Sequence, residues 1–125
     1  RQVRKFIMKL TIDRKTWLRG EGAADSKLLR PSDNKMCGLG FLCLAVGITK
    51  DEILNIDVPS KVKNPLIKEN EILRLLINPL SPSKACSSAI CSKLTTCNDR
   101  SMYVYRETEL TRLFKEIGVD VEFIN

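Results

Sequence analysis

The fold is decided by the stretch Asn34-Lys35-Met36-Cys37-Gly38-Leu39-Gly40-Phe41-Leu42-Cys43-Leu44-Ala45-Val46-Gly47, which is almost uncharged and rich in small residues and sulfur. A segment that is apolar on every side is a buried segment. We therefore predict a buried helix over residues 36–46, with Gly47 as its left-handed C-cap. Gly38 and Gly40 oppose a helix, because each costs about 1 kcal/mol relative to Ala. They are justified if another backbone packs against them.

Apolar and polar residues alternate near both ends of the chain, which predicts strands over residues 6–12 and 119–124. We expect the two strands to lie in one short sheet with helices packed on one face, which is an α+β fold. Further predicted elements are a helical turn over 14–19 capped by Asp13, a short strand over 27–30, a short helix opened by a Thr49-to-Glu52 capping box, a helix over 64–77, an apolar stripe of Cys86, Ile90 and Leu94, a loop over 98–100 and a helix over 107–117.

The size and composition of the chain indicate one domain. Its 125 residues suit a single core, and a hydrophobic fraction of 43% excludes a disordered chain. No apolar run reaches the roughly 18 residues that span a bilayer. Lys9 and Asp13 interrupt the first apolar run, so no secretory signal is predicted. We predict a globular domain over residues 8–125 in the cytoplasm without a membrane partner, and interpret residues 1–7 as a basic leader or a non-native extension.

The cysteines raise the sharpest chemical question. Their number, five, is odd, and the chain has no C-x-x-C pair and no histidine, so we predict no metal site and no cofactor. Cys37 at a helix start would gain from the helix dipole, which lowers the pKa of a thiol. A thiol enzyme also needs a base, usually histidine. We therefore predict no catalytic residue and prefer Cys37 as a buried structural residue, although the sequence leaves its reactivity open.

Positive charge is concentrated in the first third of the chain. Residues 1–35 hold ten Lys/Arg and four acids, which is the whole net charge of +6. Such a face suits nucleic acid, a nucleotide or an acidic protein surface, or serves only for solubility. Trp17 beside Arg19 has the composition of a binding hot spot, although it also suits a core anchor. The candidate site residues are Trp17, Arg19, Arg30, Lys35 and Cys37, together with Asn98 and Asp99 in the predicted loop.

Several motifs stand out along the chain, namely Trp17-Leu18-Arg19-Gly20, Leu28-Leu29-Arg30, the segment 34–43, and a tail of Asn98-Asp99, Leu113-Phe114, Gly118 and the final strand. Together they resemble the motifs of a set of small proteins from bacteriophages and mobile elements. The family pattern includes a Cys-Cys-Leu-Gly-x-Leu-Cys core segment, in which Gly38 here replaces the second cysteine. This departure argues against an essential two-cysteine chemistry. The resemblance implies a phage or prophage accessory gene that acts in the bacterial cytoplasm.

Three hypotheses for function follow. The leading one is a non-enzymatic accessory protein that binds a host or phage macromolecule, above all a protein, for example to inhibit a host defence. Its predicted surface is Trp17, Arg19, Arg30 and Lys35. The second is nucleic-acid binding through the basic first third. The third is a small-molecule or nucleotide pocket near Cys37 and Asp99.

Overall fold

The two predicted terminal strands form one sheet, and the α+β fold is confirmed. The computed structural model describes residues 8–22, 24–77 and 87–125. Strand β1 (Met8–Asp13) pairs in parallel with β2 (Val119–Ile124), so that Met8 lies opposite Val119. Leu10 and Ile12 are buried, whereas the residues between them are exposed. One face of the sheet therefore packs on the core, as the period-two pattern predicts.

The described residues form the helices α1 (Gly38–Val46), α2 (Lys50–Ile53), α3 (Leu66–Glu69), α4 (Ala89–Asp99) and α5 (Arg106–Glu116), with 3-10 turns at Pro59–Lys61 and Leu73–Leu76. Helix α1 contacts both β1 and α4, whereas α5 contacts both β2 and α4. The three longer helices and the sheet therefore share one core.

The small residues of α1 allow the close backbone approach that the sequence predicts. A Cβ atom on Gly40 would overlap the carbonyl oxygen of Leu28, so another backbone does pack against this position. Gly38 differs, because the nearest atoms to its Cβ position belong to the Phe114 ring, at 3.5 Å. Gly47 ends the helix with a φ of 118°, which confirms the predicted left-handed cap. Gly40 is therefore required by packing, and Gly47 by its backbone conformation.

Two predicted helices differ in the structure. Residues 14–16 form a turn, but Trp17 then leaves it, because Leu18 N donates to Met36 O at 2.7 Å in a parallel bridge. The predicted helix over 64–77 breaks at Asn70, whose ψ is 132°. The Asn70 side-chain oxygen accepts hydrogen bonds from the next two free backbone amides and replaces their helical partners.

The predicted loop over 98–100 is wrong, because α4 continues through Asp99 and only Arg100 leaves the helix. The predicted strand over 27–30 is a single bridge between Leu29 and Leu54. The Thr49 capping box with Glu52 is confirmed, as are the helix ending at Gly118 and the final strand. The start of the first predicted strand, at 6–7, and Cys86 lie outside the described residues.

Candidate functional site

The buried amide of Asn98 joins three parts of the chain. Its Oδ1 accepts hydrogen bonds from Trp17 Nε1 at 2.8 Å and from the backbone amide of Gly38 at 3.0 Å. Its Nδ2 donates to Leu18 O and to Asp99 Oδ1, both at 2.9 Å. Both amide protons and both lone pairs of the carbonyl oxygen are thereby used. Asn98 therefore acts as a structural junction, with no polar capacity left for a ligand.

Asp99 lies beside this junction and is half-buried. Its Oδ1 also accepts a hydrogen bond from Ser26 Oγ at 2.6 Å. Burial raises the pKa of Asp99, and the hydrogen bonds from Ser26 and Asn98 and the nearby charge of Arg106 oppose this rise. The backbone carbonyl of Asp99 accepts a hydrogen bond from Gly22 N, which fixes the loop over the end of α4.

Cys37 lies at the start of α1, as predicted, but as the N-cap residue of a helix that begins at Gly38, and its thiol is enclosed. Its relative exposure is 3%, and burial raises its pKa to about 12, with the nearby Asp99 carboxylate acting in the same direction. Burial therefore outweighs the favourable position at the helix start. The structure brings Trp17, Cys37, Asn98 and Asp99 together, but it does so inside the core and not around an open site.

Trp17 is also part of the core. It is 3% exposed, and its ring centroid lies 5.0 Å from that of Phe123. The guanidinium of Arg19 lies 4.6 Å from the centroid of the Trp17 ring and forms a 3.7 Å ion pair with Glu107. Glu107 also binds Arg14 through two hydrogen bonds. Trp17 is therefore covered by Arg19, and a partner at this position would meet a guanidinium that already has two contacts.

Arg30 and Lys35 lie on a separate loop. The Arg30 guanidinium donates to Asp33 at 2.7 and 3.1 Å and lies 3.5 Å from Glu21. The pKa of Asp33 falls to about 2, mainly because of its hydrogen bond from Arg30. Arg30 thus contacts its own loop, whereas Arg19 contacts Trp17 and α5. The four predicted surface residues do not form one contact network.

The basic first third does not produce a bare positive face in the described part of the chain. Of its cationic residues from 8 to 35, five form ion pairs with acids, mostly from distant segments. The pairs are Lys9–Glu122, Arg14–Glu107, Arg19–Glu107, Lys27–Asp57 and Arg30 with Glu21 and Asp33.

Among the described residues, the most exposed apolar side chains lie in a loop that the sequence analysis did not select. Between α4 and α5, Met102 is 97% exposed, Val104 86% and Tyr105 68%. Exposed apolar side chains that cluster in this way mark interaction sites more often than scattered ones do. The sequence does contain an indication, because Met102-Tyr103-Val104-Tyr105 is a wholly apolar and aromatic run in a connection that would ordinarily be polar. We call residues 102–105 the apolar loop.

A groove between α4 and α5 lies next to the apolar loop. Its volume is about 430 Å³. Its lining combines buried apolar residues at the floor with cationic residues at the edge, and consists of Ser92, Lys93, Thr96, Cys97, Arg100, Tyr103, Glu109, Arg112 and Leu113.

Residues 8–22, 24–77 and 87–125 contain no group of three or more histidine, cysteine or acidic side chains that could hold a metal ion. No helix among them has the length and apolar character needed to cross a membrane.

No protein-family model matches the chain, and neither does any curated protein or any solved structure.

Native Cys37 should react with iodoacetamide at least about a hundredfold more slowly than Cys37 in the urea-unfolded chain at pH 8. A rise of the thiol pKa from near 9 to about 12 lowers the thiolate fraction roughly a thousandfold, and enclosure blocks access further. Peptide-level mass spectrometry after timed alkylation would measure both rates. Equal rates in the two states would show that the thiol is open, and would revive the pocket hypothesis at Cys37.

Proposed function

We propose that this protein is a non-enzymatic binding protein that captures a protein partner through the apolar loop. The observation that supports the proposal is the exposure of Met102, Val104 and Tyr105 next to a groove, in contrast to the enclosed Trp17 and Cys37. Tyr and Met are enriched at protein interfaces, where they provide contact area. Burying these three side chains against a partner would remove a large apolar surface from water and so favour association.

The phage resemblance provides the biological context of this proposal. An accessory protein of a phage or prophage would bind a host or phage protein in the bacterial cytoplasm, for example a component of a host defence. Nucleic-acid binding is the weaker alternative, because five of the seven cationic residues that the structure describes between 8 and 35 are paired with acids. A pocket at Cys37 and Asp99 is weaker still, because the Cys37 thiol is enclosed and the neighbouring Asn98 amide is fully hydrogen-bonded within the protein.

The test compares a loop variant with a control variant of similar chemistry. In the loop variant, Met102, Val104 and Tyr105 are all replaced by Ser. In the control, Leu54→Ser and Leu75→Ser remove two apolar side chains that are 41% and 37% exposed elsewhere. We expect quantitative affinity purification from bacterial cells to recover a protein with the wild type and the control but not with the loop variant. The purified partner should then bind the wild type at least about a hundredfold more tightly than the loop variant in calorimetry.

Two results would contradict the proposal. One is a partner that the loop variant retains with unchanged affinity. The other is self-association of the wild type, measured by light scattering and lost in the loop variant, because the apolar loop would then bind a second copy of this chain. Circular dichroism of all three proteins would show that the loop substitutions leave the fold intact, as their exposure predicts.

A further inference from the structure

We infer that the groove between α4 and α5 receives an acidic segment of the protein partner, with a carboxylate next to a large apolar side chain. This inference rests on the proposed function, because it assumes that the partner approaches over the apolar loop. It goes further by assigning a chemical class to the bound segment.

Positively charged side chains lie at the edge of the groove. Neither Lys93 nor Arg100 forms an ion pair with an acid among the described residues, and the Arg100 guanidinium lies 4.7 Å from the centroid of the Tyr103 ring. Arg112, in contrast, is balanced by Glu109 at 2.6 Å and by Glu116 at 3.3 Å. The groove thus keeps two uncompensated positive charges at its edge. Such charges favour an anionic partner and steer its approach.

The groove is concave and has an apolar floor. Leu113 and Cys97 are buried and line it, so its floor is apolar, and the apolar loop extends this surface at one end. A concave site of about 430 Å³ accommodates side chains that protrude from a protein segment. A bilayer surface would contact only the protruding loop and leave the groove unfilled. The combination therefore favours an acidic and apolar protein segment over an anionic membrane.

Binding to a peptide array tests the inference directly. The array presents the same apolar 12-residue sequences with Asp/Glu, Asn/Gln or Lys/Arg at the polar positions, and the intact protein is the probe. We expect acidic peptides to bind best and basic peptides worst. In the variant with Lys93→Glu and Arg100→Glu, the acidic preference should fall by at least about tenfold. The matched control, Lys63→Glu with Lys68→Glu, changes two exposed lysines outside the groove and should keep the preference.

Three outcomes would overturn the inference. The first is the absence of any preference among the three series, and the second is a preference that survives the groove substitutions. The third is a higher affinity for phosphatidylglycerol vesicles, measured by sedimentation, than for any peptide. A failure of this inference about the groove can be distinguished from a failure of the proposed function. If the apolar-loop variant loses its partner but the groove variant binds that partner normally, the protein-binding function stands and only the acidic class is wrong.

Discussion

Replacing Asn98 by Leu should lower the free energy of unfolding by on the order of 4 kcal/mol. The substitution leaves the Trp17 indole N–H, the Gly38 amide and the Leu18 carbonyl without their partner in the core. Each buried polar group left without a hydrogen bond costs about 1–3 kcal/mol. Leu itself is tolerated in a helix, so the loss does not come from helix propensity.

Urea unfolding followed by circular dichroism would measure this change, with Thr108→Leu as the matched control. Thr108 lies on α5 and is exposed, so the same increase in apolar character should change the free energy of unfolding by less than about 0.5 kcal/mol. If the Asn98→Leu protein is too unstable to purify, its soluble yield relative to the control gives the same comparison. A stable Asn98→Leu protein with native tryptophan fluorescence would mean that the junction does not hold the core together.

Replacing Gly40 by Ala should cost about 3 kcal/mol of stability, even though Ala is the better helix former. The added Cβ would overlap the Leu28 carbonyl oxygen and lie 2.9 Å from its carbonyl carbon. The obstacle is backbone, which cannot move aside as a flexible side chain does. Overpacking a closed core commonly costs about 1–3 kcal/mol, and this position lies at the upper end because α1 and the 28–29 segment must separate.

Gly38→Ala provides the control in the same helix. Its new methyl group would meet the Phe114 ring at 3.5 Å, which is an ordinary contact distance. We expect a change of less than about 1 kcal/mol in either direction, because the gain in helix propensity offsets any small rearrangement. Equal stability losses at the two glycines, measured by thermal unfolding, would refute the role of the close approach between Gly40 and Leu28.

Residues with strong periodic patterns could be predicted from the sequence. The strands near 8–13 and 119–124 alternate cleanly, and α5 repeats its apolar residues at helical spacing, so one element type is favoured in each case. The burial of most of α1 up to Cys43 and its closing glycine were also predictable from the apolar run, whereas Ala45 is exposed and Leu44 and Val46 are only half-buried. The helix over 64–77 failed because Asn70 satisfies the backbone amides locally, which the apolar pattern does not show.

The candidate site was less predictable, because it depends on which distant residues meet. Asn is common in loops, which is why a loop was predicted at Asn98. Its side chain instead accepts hydrogen bonds from Trp17 and Gly38, which are 81 and 60 positions away in the sequence. Glu107 likewise neutralises Arg14 and Arg19 from the other end of the chain. Local patterns do not contain such pairings. The exposure of the apolar loop could not be predicted for the same reason, because it depends on how α4 packs on α5 and which side chains that packing leaves in solvent.

The parallel pairing of β1 with β2 also constrains how the protein is made. Met8 cannot pair with Val119 until the ribosome has synthesised the whole chain between them. During translation the inward side chains of the first strand, such as Ile12, therefore lack the strand that pairs with them in the folded protein. Closing so long a loop is slow, and a nascent chain in this state is open to aggregation and chaperone binding. We therefore expect the native topology to form only after β2 has been synthesised.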